Sequence, residues 1–419
     1  MSLQGPLIVV AENPAGELVQ ALSLAGAFPI IETNWADAPT AFISVKPTAI
    51  IIAEPGAPPS ESTARMLCLQ AATASGPIVP IIAQVYRDED AAVPIALPND
   101  AGLPLARLTA RLNSAMRVRA LHETVLRRIE LFAGHGGKLP ALPVGDALED
   151  ATVLVAGRGP LYPSLSVAIG ERVGMVGALS VEAAAKYLNS HDIDGIVVGD
   201  GFSPRMVEAF LTVLAQDGRF RDIPVAVIGE APVDFYDNMP NIDHVDGDPA
   251  RLVARMVPLV RMHAFEARLK RMLKSLDADG MFDPQTGLLT REAFTEDLSG
   301  AIAKAGEHSQ PLSLARIALD AASDERASRD GARMVTRLTR VIDFACRDDD
   351  GAILIAFTQT DLASAHVVAR RMAGVLKNVV MAQRGVSLAA HITLATLKAG
   401  DTLKSLLLRV KGREAVAAE

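Results

Sequence analysis

The sequence repeats itself at a fixed interval, and that interval constrains the fold more than any single motif. Residues 6–12 (PLIVVAE) and 151–157 (ATVLVAG) are matching short apolar runs. Residues 49–56 (AIIIAEPG) and 195–202 (GIVVGDGF) form a second pair. Residues 108–128 (LTARLNSAMRVRALHETVLRR) and 252–272 (LVARMVPLVRMHAFEARLKRM) form a third. The offsets are 145, 146 and 144 residues. Three separate elements at one spacing indicate a duplicated domain.

Within each copy, apolar runs of strand length alternate with helical patterns. Continuous apolar runs mark strands buried on both faces, as in a parallel sheet covered by helices. Copy one places strands near 6–12, 27–31, 48–53, 78–83 and 93–97; copy two near 152–156, 173–177, 194–199, 223–228 and 242–245. Five such units predict a flavodoxin-like, doubly wound α/β domain in each copy. A Gly/Pro-rich stretch, residues 134–145, links them. The helix over about 249–276 contains Pro258 and alternates apolar with basic residues. It reads either as a connecting or dimerising helix, or as a plain amphipathic helix packed on its own domain.

A third module follows with a different pattern. Strands are expected over 312–320, 352–357 and 391–397, with helices over about 331–344 and 364–377 and a last helix near the end. Strands and helices do not alternate regularly, which predicts an α+β sheet. The expected domains are 1–133, 146–276 and 277–419.

Composition bounds the function. Of 419 residues, 50% are hydrophobic and only 4% aromatic, and the net charge is −8. This is not the composition of a disordered chain, and it lacks the stacking aromatics of a single-strand nucleic-acid platform. The acidic balance disfavours bulk binding to nucleic acid or anionic membrane, so an anionic ligand requires a local arginine cluster. Two cysteines, Cys68 and Cys346, build no disulfide framework and no CxxC. The first residues lack a signal-peptide pattern and no window suits a membrane span, so a cytoplasmic protein is expected.

The duplicated unit resembles the receiver domain of two-component response regulators, over about residues 5–130 and 150–272. Receiver chemistry needs an acidic pair after the first strand for Mg²⁺ and a phosphoacceptor Asp ending the third. It also needs a Thr or Ser after the fourth strand and a Lys before Pro after the fifth. Copy one keeps Glu12 and Asn13. Ala53 falls at the acceptor place with Glu54 beside it, and Leu97 before Pro98 replaces the Lys. Copy two has Gly157 and Arg158 for the acidic pair, and Gly199 at the acceptor place with Asp200 next to it. Gly229 replaces the Thr or Ser, and Asp248 before Pro249 replaces the Lys. The resemblance therefore implies two degenerate receivers used for packing and dimerisation. A one-residue slip at Asp200 is the remaining route to phosphorylation.

Residues 283–294 (DPQTGLLTREAF) resemble the entrance motif of the GGDEF family, the diguanylate cyclases. A cyclase needs a metal-binding Asp on its first strand, Asn and Asp behind it for guanine, and the acidic residue of the GG(D/E)EF hairpin. Here the first-strand place reads Ala318, with Asp320 two residues on, and the segment 321–334 is short. Alignment on Arg347 puts Asp349, Asp350, Gly351, Ala352 and Ile353 where G-G-D-E-F belongs. Two carboxylates replace the glycines and Gly351 replaces the metal carboxylate. A hairpin turn at Asp350-Gly351 survives in this reading, while cyclase activity and metal binding are expected to be lost.

Arg340 and Asp343 match the family's RxxD inhibitory motif, which binds cyclic di-GMP ahead of the signature hairpin. The bare pattern also occurs at Arg87 and Asp90, Arg219 and Asp222, and Arg347 and Asp350. Register against the hairpin is what singles out the first. An Arg forks onto guanine O6 and N7 or onto phosphate, and an Asp accepts from the guanine N1–H and N2–H edge. Arg371, with Arg370 beside it, matches the additional family arginine. The alternative is a surface ion pair of Arg340 and Asp343 worth at most ~1 kcal/mol. The resemblance implies a non-catalytic cyclic-di-GMP effector and a homodimer. Its implied partners are signalling or proteolysis-adaptor proteins of the cell cycle, with recruitment to a cell pole. A phosphorelay-controlled cyclase and a ligand-independent scaffold are the competing expectations.

Overall fold

The computed structural model describes residues 4–53, 76–83, 96–98, 105–134, 146–229, 239–277, 281–283, 286–319, 331–332, 334–336, 338–384 and 390–412. The linker 134–145 beyond its first residue, Glu54, Asp320 and most of 321–334 lie outside them.

Two sheets carry the duplication. The first comprises β1 (Gln4–Val10), β2 (Phe28–Thr33), β3 (Ala49–Ile52), β4 (Ile81–Ala83) and β5 (Ala96–Pro98). Helices α1 (Gly16–Leu24), α2 (Ala38–Val45) and α3 (Leu105–Gly134) accompany them. The second comprises β6 (Thr152–Ala156), β7 (Gly174–Ala178), β8 (Gly195–Val198), β9 (Val225–Ile228) and β10 (Ile242–Val245). Its helices are α4 (Tyr162–Gly170), α5 (Val181–Ser190), α6 (Pro204–Gln216) and α7 (Pro249–Asp277). The strand orders are β2-β1-β3-β4-β5 and β10-β9-β8-β6-β7. Numbered within its own copy, each is 2-1-3-4-5, the doubly wound order with a switch point between the first and third strands. Register agrees too: Leu7 faces Ala49 across β1 and β3, and Val153 faces Gly195 across β6 and β8.

The second sheet shows why these strands are apolar on both sides. Val153 and Val155 of β6 enter one core with Leu165 and Ile169 of α4 and Leu252, Met256 and Val260 of α7. Leu154 and Ala156, pointing the other way, enter another with Leu188 of α5 and Phe210 and Leu214 of α6. Successive side chains of a strand face opposite layers, so a sheet between two helical layers selects apolar residues at every position. Helix α7 thus packs on its own sheet, and its Phe265 also meets His122 of α3 edge to face, with ring centroids 5.6 Å apart. The reading of a helix packed on its own domain holds, and the contact with α3 adds a connection. Helix α3 likewise reaches the second sheet: Arg111 Nη2 lies 2.6 Å from Asp243 Oδ2 on β10, and Arg107 pairs with the other carboxylate oxygen.

The third sheet is antiparallel. Its strands β11 (Leu312–Leu319), β12 (Phe344–Arg347), β13 (Ile353–Thr358) and β14 (Ala390–Thr396) lie in the order β12-β13-β11-β14. Helix α8 (Arg291–Glu307) precedes β11, α9 (Leu362–Arg384) joins β13 to β14, and α10 (Leu403–Val410) follows. Ala315, Ile317, Ile353, Ile355 and Phe357 form a core with Ala365, Ala369, Met372 and Ala373 of α9. The helix expected over 331–344 stops earlier, because residues 341–342 form a turn and Phe344 already belongs to β12.

By compactness the chain forms two units. One is Pro6–His122 with Leu142–Lys270; the other is Glu123–Ala141 with Arg271–Glu419 and Met1–Gly5. Helix α3 contributes its first part to one unit and its last part to the other.

Candidate functional site

The β12–β13 hairpin is built by a tight turn whose corner is Asp349-Asp350. Gly351 N–H donates to the Asp348 carbonyl at 2.9 Å, and Asp348 N–H donates to the Ala352 carbonyl at 2.7 Å. Gly351 takes φ +81°, the left-handed residue that follows a type I turn in a three-residue hairpin. The expected two-residue turn at Asp350-Gly351 is therefore shifted by one residue. A type I corner accepts Asp at both central places, and Gly351 supplies the left-handed residue that must follow it.

Two of the three turn carboxylates, Asp348 and Asp350, have cationic partners. Asp348, with no side-chain exposure, lies 2.7 Å from Lys411 Nζ and 3.4 Å from Arg291 Nε. Asp350 lies 2.5 Å from Arg316 Nη2 on β11. Partial burial raises the Asp350 carboxyl, but the hydrogen bonds from Arg316 and the Ala352 N–H outweigh it and hold it below the usual range. Ala318 stands on β11 opposite His391 of β14 and offers no ligand atom. Among the described residues no group of three or more His, Cys, Asp or Glu side chains is placed to hold a metal ion. Among the described residues, Ala318 and Gly351 offer no side-chain ligand, and Asp348 and Asp350 carry internal cations.

Arg340 and Asp343 flank the turn that leads into β12. Asp343 N–H donates to the Arg340 carbonyl at 3.1 Å, which closes the turn. The two side chains do not emerge together. Arg340 is exposed and makes no ion pair among the described residues. Asp343 is only 8% exposed, and its Oδ1 accepts the Thr358 N–H at 3.0 Å. Burial pushes the Asp343 carboxyl up to about 7, against the pull of Arg340, of Thr358 and of Arg127. The surface ion pair that the sequence allows is thus not formed. Arg370 and Arg371 are exposed on α9, on the side away from Ala365, Ala369 and Met372. No hydrogen bond or ion pair among the described residues joins Arg371 to Arg340 or Asp343.

A neighbouring cluster was not visible in the sequence. Asp297 of α8, fully buried, accepts a hydrogen bond from Arg127 Nε at 2.9 Å and lies in ion-pair contact with Arg128 Nη2 at 3.0 Å, both from the last turns of α3. Both guanidinium groups lie over the Phe344 ring, at 5.4 and 5.9 Å from its centroid, and Arg128 also lies 5.7 Å from the Phe282 centroid. These are cation–π distances. Arg127 Nη2 and Arg128 Nε and Nη1 are buried without an acceptor among the described residues. Gln359 donates to Glu123 at 3.3 Å and Lys304 to Glu130 at 3.1 Å, at the two ends of the same α3 segment. An Arg-Arg pair in an amphipathic helix carries no signal that it will meet an Asp 170 residues away.

In the receiver-like sheets, Glu12 and Asn13 follow β1, Ala53 follows β3 and Leu97 lies within β5. In copy two Asp200 follows β8, but its carboxylate is turned into the loop after β6. Asp200 Oδ2 accepts the Leu161 N–H at 3.3 Å, and its carbonyl accepts from Arg158 and Gly159, each at 3.1 Å. A Cβ on Gly159 would overlap that carboxylate. Asp248 bonds the Ala250 N–H at 3.1 Å at the start of α7, a helix-capping role rather than that of a cation.

No protein-family model and no curated protein matches the chain. Among solved structures it is similar to the GGDEF domain of DgcB from Caulobacter crescentus, determined in complex with c-di-GMP. They are 19% identical over 32% of this chain and 87% of that one, with a TM-score of 0.30. The FimX GGDEF domain from Pseudomonas aeruginosa is 18% identical, over 32% and 90%, with a TM-score of 0.28. The diguanylate cyclase SiaD from Pseudomonas aeruginosa, in complex with its activator SiaC, is 21% identical, over 39% and 69%, at 0.31. Similarity at this level assigns neither activity nor ligand.

Proposed function

We propose that this chain is a non-catalytic cyclic-di-GMP effector, with two receiver-type modules that take no phosphoryl group and a cyclase-type module that makes no product. The observation that carries this reading is the state of the β12–β13 hairpin. Asp348 and Asp350 are paired with Arg316, Arg291 and Lys411, so these two carboxylates serve the fold rather than a divalent cation. A hairpin kept for structure, beside a turn that keeps an exposed Arg340 with no ion pair among the described residues, fits a site that binds a nucleotide without transforming it. Arg340 would fork onto guanine O6 and N7 or phosphate, Asp343 would accept from the guanine N1–H and N2–H edge, and Arg371 would add a phosphate contact. Homodimerisation, a polar location and proteolysis-adaptor partners belong to the same proposal.

Calorimetry with cyclic di-GMP tests it. Binding to the wild-type chain is expected, with a loss of roughly 10- to 100-fold in Arg340→Ala, the value of a charge-assisted hydrogen-bond fork. No heat with wild type rejects the ligand and leaves the scaffold reading. Incubation with GTP and Mg²⁺ tests the catalytic half: cyclic di-GMP among the products would make the chain a cyclase.

A further inference from the structure

Helix α7 carries apolar side chains on more of its surface than its own sheet requires. Leu252, Met256 and Val260 point into the core of the second sheet. Val253 and Ala254, with Val257 at the edge of that core, form one wall of a groove of about 320 Å³. The end of α4 forms the other wall with Ala168, Glu171 and Arg172. The duplication shows that the fold does not demand this stripe. At the 144-residue offset, α3 of copy one keeps the inward residues apolar, as Leu108, Leu112 and Met116. In place of Val253, Ala254 and Val257 it has Thr109, Ala110 and Asn113. Two valines of copy two therefore stand where the equivalent helix is polar, and they line a groove open to water. Apolar surface left in this way favours a partner that covers it. Beside the groove stands a knob: Val167, 59% exposed, on the side of α4 opposite Leu165 and Ile169.

We propose that this face of copy two binds the same face of a second copy of the chain about a two-fold axis. The proposal rests on the homodimer reading above and names the surface that forms the dimer. A two-fold contact joins a patch to itself, so the patch must hold both halves of every fit. This one holds a groove and, one residue from Ala168 in its wall, the knob Val167. Glu171 and Arg172 are the charged residues among those lining the groove, one of each sign. Val167 of each copy enters the groove of the other, and Glu171 of each faces Arg172 of the other. Ala168 and Ala254 are small, which lets helices approach closely. A partner of different sequence would call for one half of this set, a hole or a knob and one sign of charge.

Sedimentation velocity on the full chain, over a wide range of concentration, tests the face. Wild type is expected to dimerise. Val167→Asp is expected to weaken the dimer roughly 100-fold or more, because it buries a carboxylate without a partner. Val213→Asp is the control. Val213 is also 59% exposed but lies on α6, in the opposite helical layer, and its dimer is expected to match wild type. Both valines are exposed, so these variants test contact rather than folding. Glu171→Arg sets like charges across the axis and is expected to weaken the dimer; adding Arg172→Glu is expected to restore it. A wild-type dimer that Val167→Asp leaves intact, or that Val213→Asp weakens equally, overturns the face while the homodimer stands. A double charge variant no tighter than Glu171→Arg alone overturns the two-fold pairing. A wild type that stays monomeric at every concentration rejects the homodimer and this face together, and the ligand reading is then judged separately by calorimetry.

Discussion

Asp343 makes the fold sensitive to pH in a direction opposite to that of most carboxylates. Burial raises its carboxyl from 3.8 to about 7, more than Arg340, Thr358 and Arg127 pull it down. The unfolded chain releases this proton near 3.8, while the native chain keeps it to about 7. The native state therefore binds more protons over that window, and stability falls as pH rises through it. The contribution of neutral Asp343 is complete below about pH 4 and lost above about pH 7. Three pH units at ~1.4 kcal/mol each set an upper bound of about 4 kcal/mol, and relaxation of the site reduces this to roughly half. Asp343→Asn stays neutral at every pH and still accepts the Thr358 N–H. The assay is native-state hydrogen exchange of β13 peptides, comparing variant with wild type at pH 5, 6, 7 and 8. Taking the ratio at each pH cancels the intrinsic pH dependence of exchange. Between pH 5 and 7 wild type is expected to lose protection relative to the variant by roughly 10-fold, with about 100-fold as the bound. A ratio that stays constant from pH 5 to 8 would refute the assignment of Asp343 as a buried carboxyl neutral in mildly acidic solution.

Three further predictions follow from single contacts. Asp297→Asn leaves Arg127 and Arg128 buried without a carboxylate, so a loss of about 3–5 kcal/mol is expected in thermal unfolding; an unchanged transition would mean that the cluster is hydrated and slack. Gly351→Ala forces a Cβ into the left-handed region at φ +81°, with a cost of about 1–2 kcal/mol. It should appear as faster exchange confined to β12 and β13, and exchange at the wild-type rate would argue against the three-residue turn. Acetyl phosphate with Mg²⁺ is expected to leave the chain unlabelled, because Asp200 is turned into the Leu161 N–H and packed against Gly159. Label that disappears in Asp200→Ala would show the opposite.

Much of the fold can be read in the sequence because it depends on local pattern. The 144–146 residue offset and the two-sided apolar strands lead to the two 2-1-3-4-5 sheets, whose strands fall within a few residues of their expected places. The turn at 340–343 was harder. Helical spacing continues through Arg340, and only the hydrogen bond from Asp343 N–H back to the Arg340 carbonyl breaks it. The consequence is chemical, since a helix end would point both side chains the same way, and a turn points one out and one in. Spacing alone cannot tell these apart, because the inward choice is made by Thr358, fifteen residues on and on another strand.

The arginine cluster lies further beyond the reach of sequence. Helix α3 belongs by repeat to copy one, yet Arg107 and Arg111 of its first part engage Asp243 on β10 of the second sheet. Its last part pairs with Asp297, in a module that has no counterpart in the repeat. The equivalence between residues 108–128 and 252–272 therefore holds for sequence and helical form but not for what the two helices touch. The last turns of α3 are fixed by Asp297 of α8, a partner that lies outside the repeat altogether.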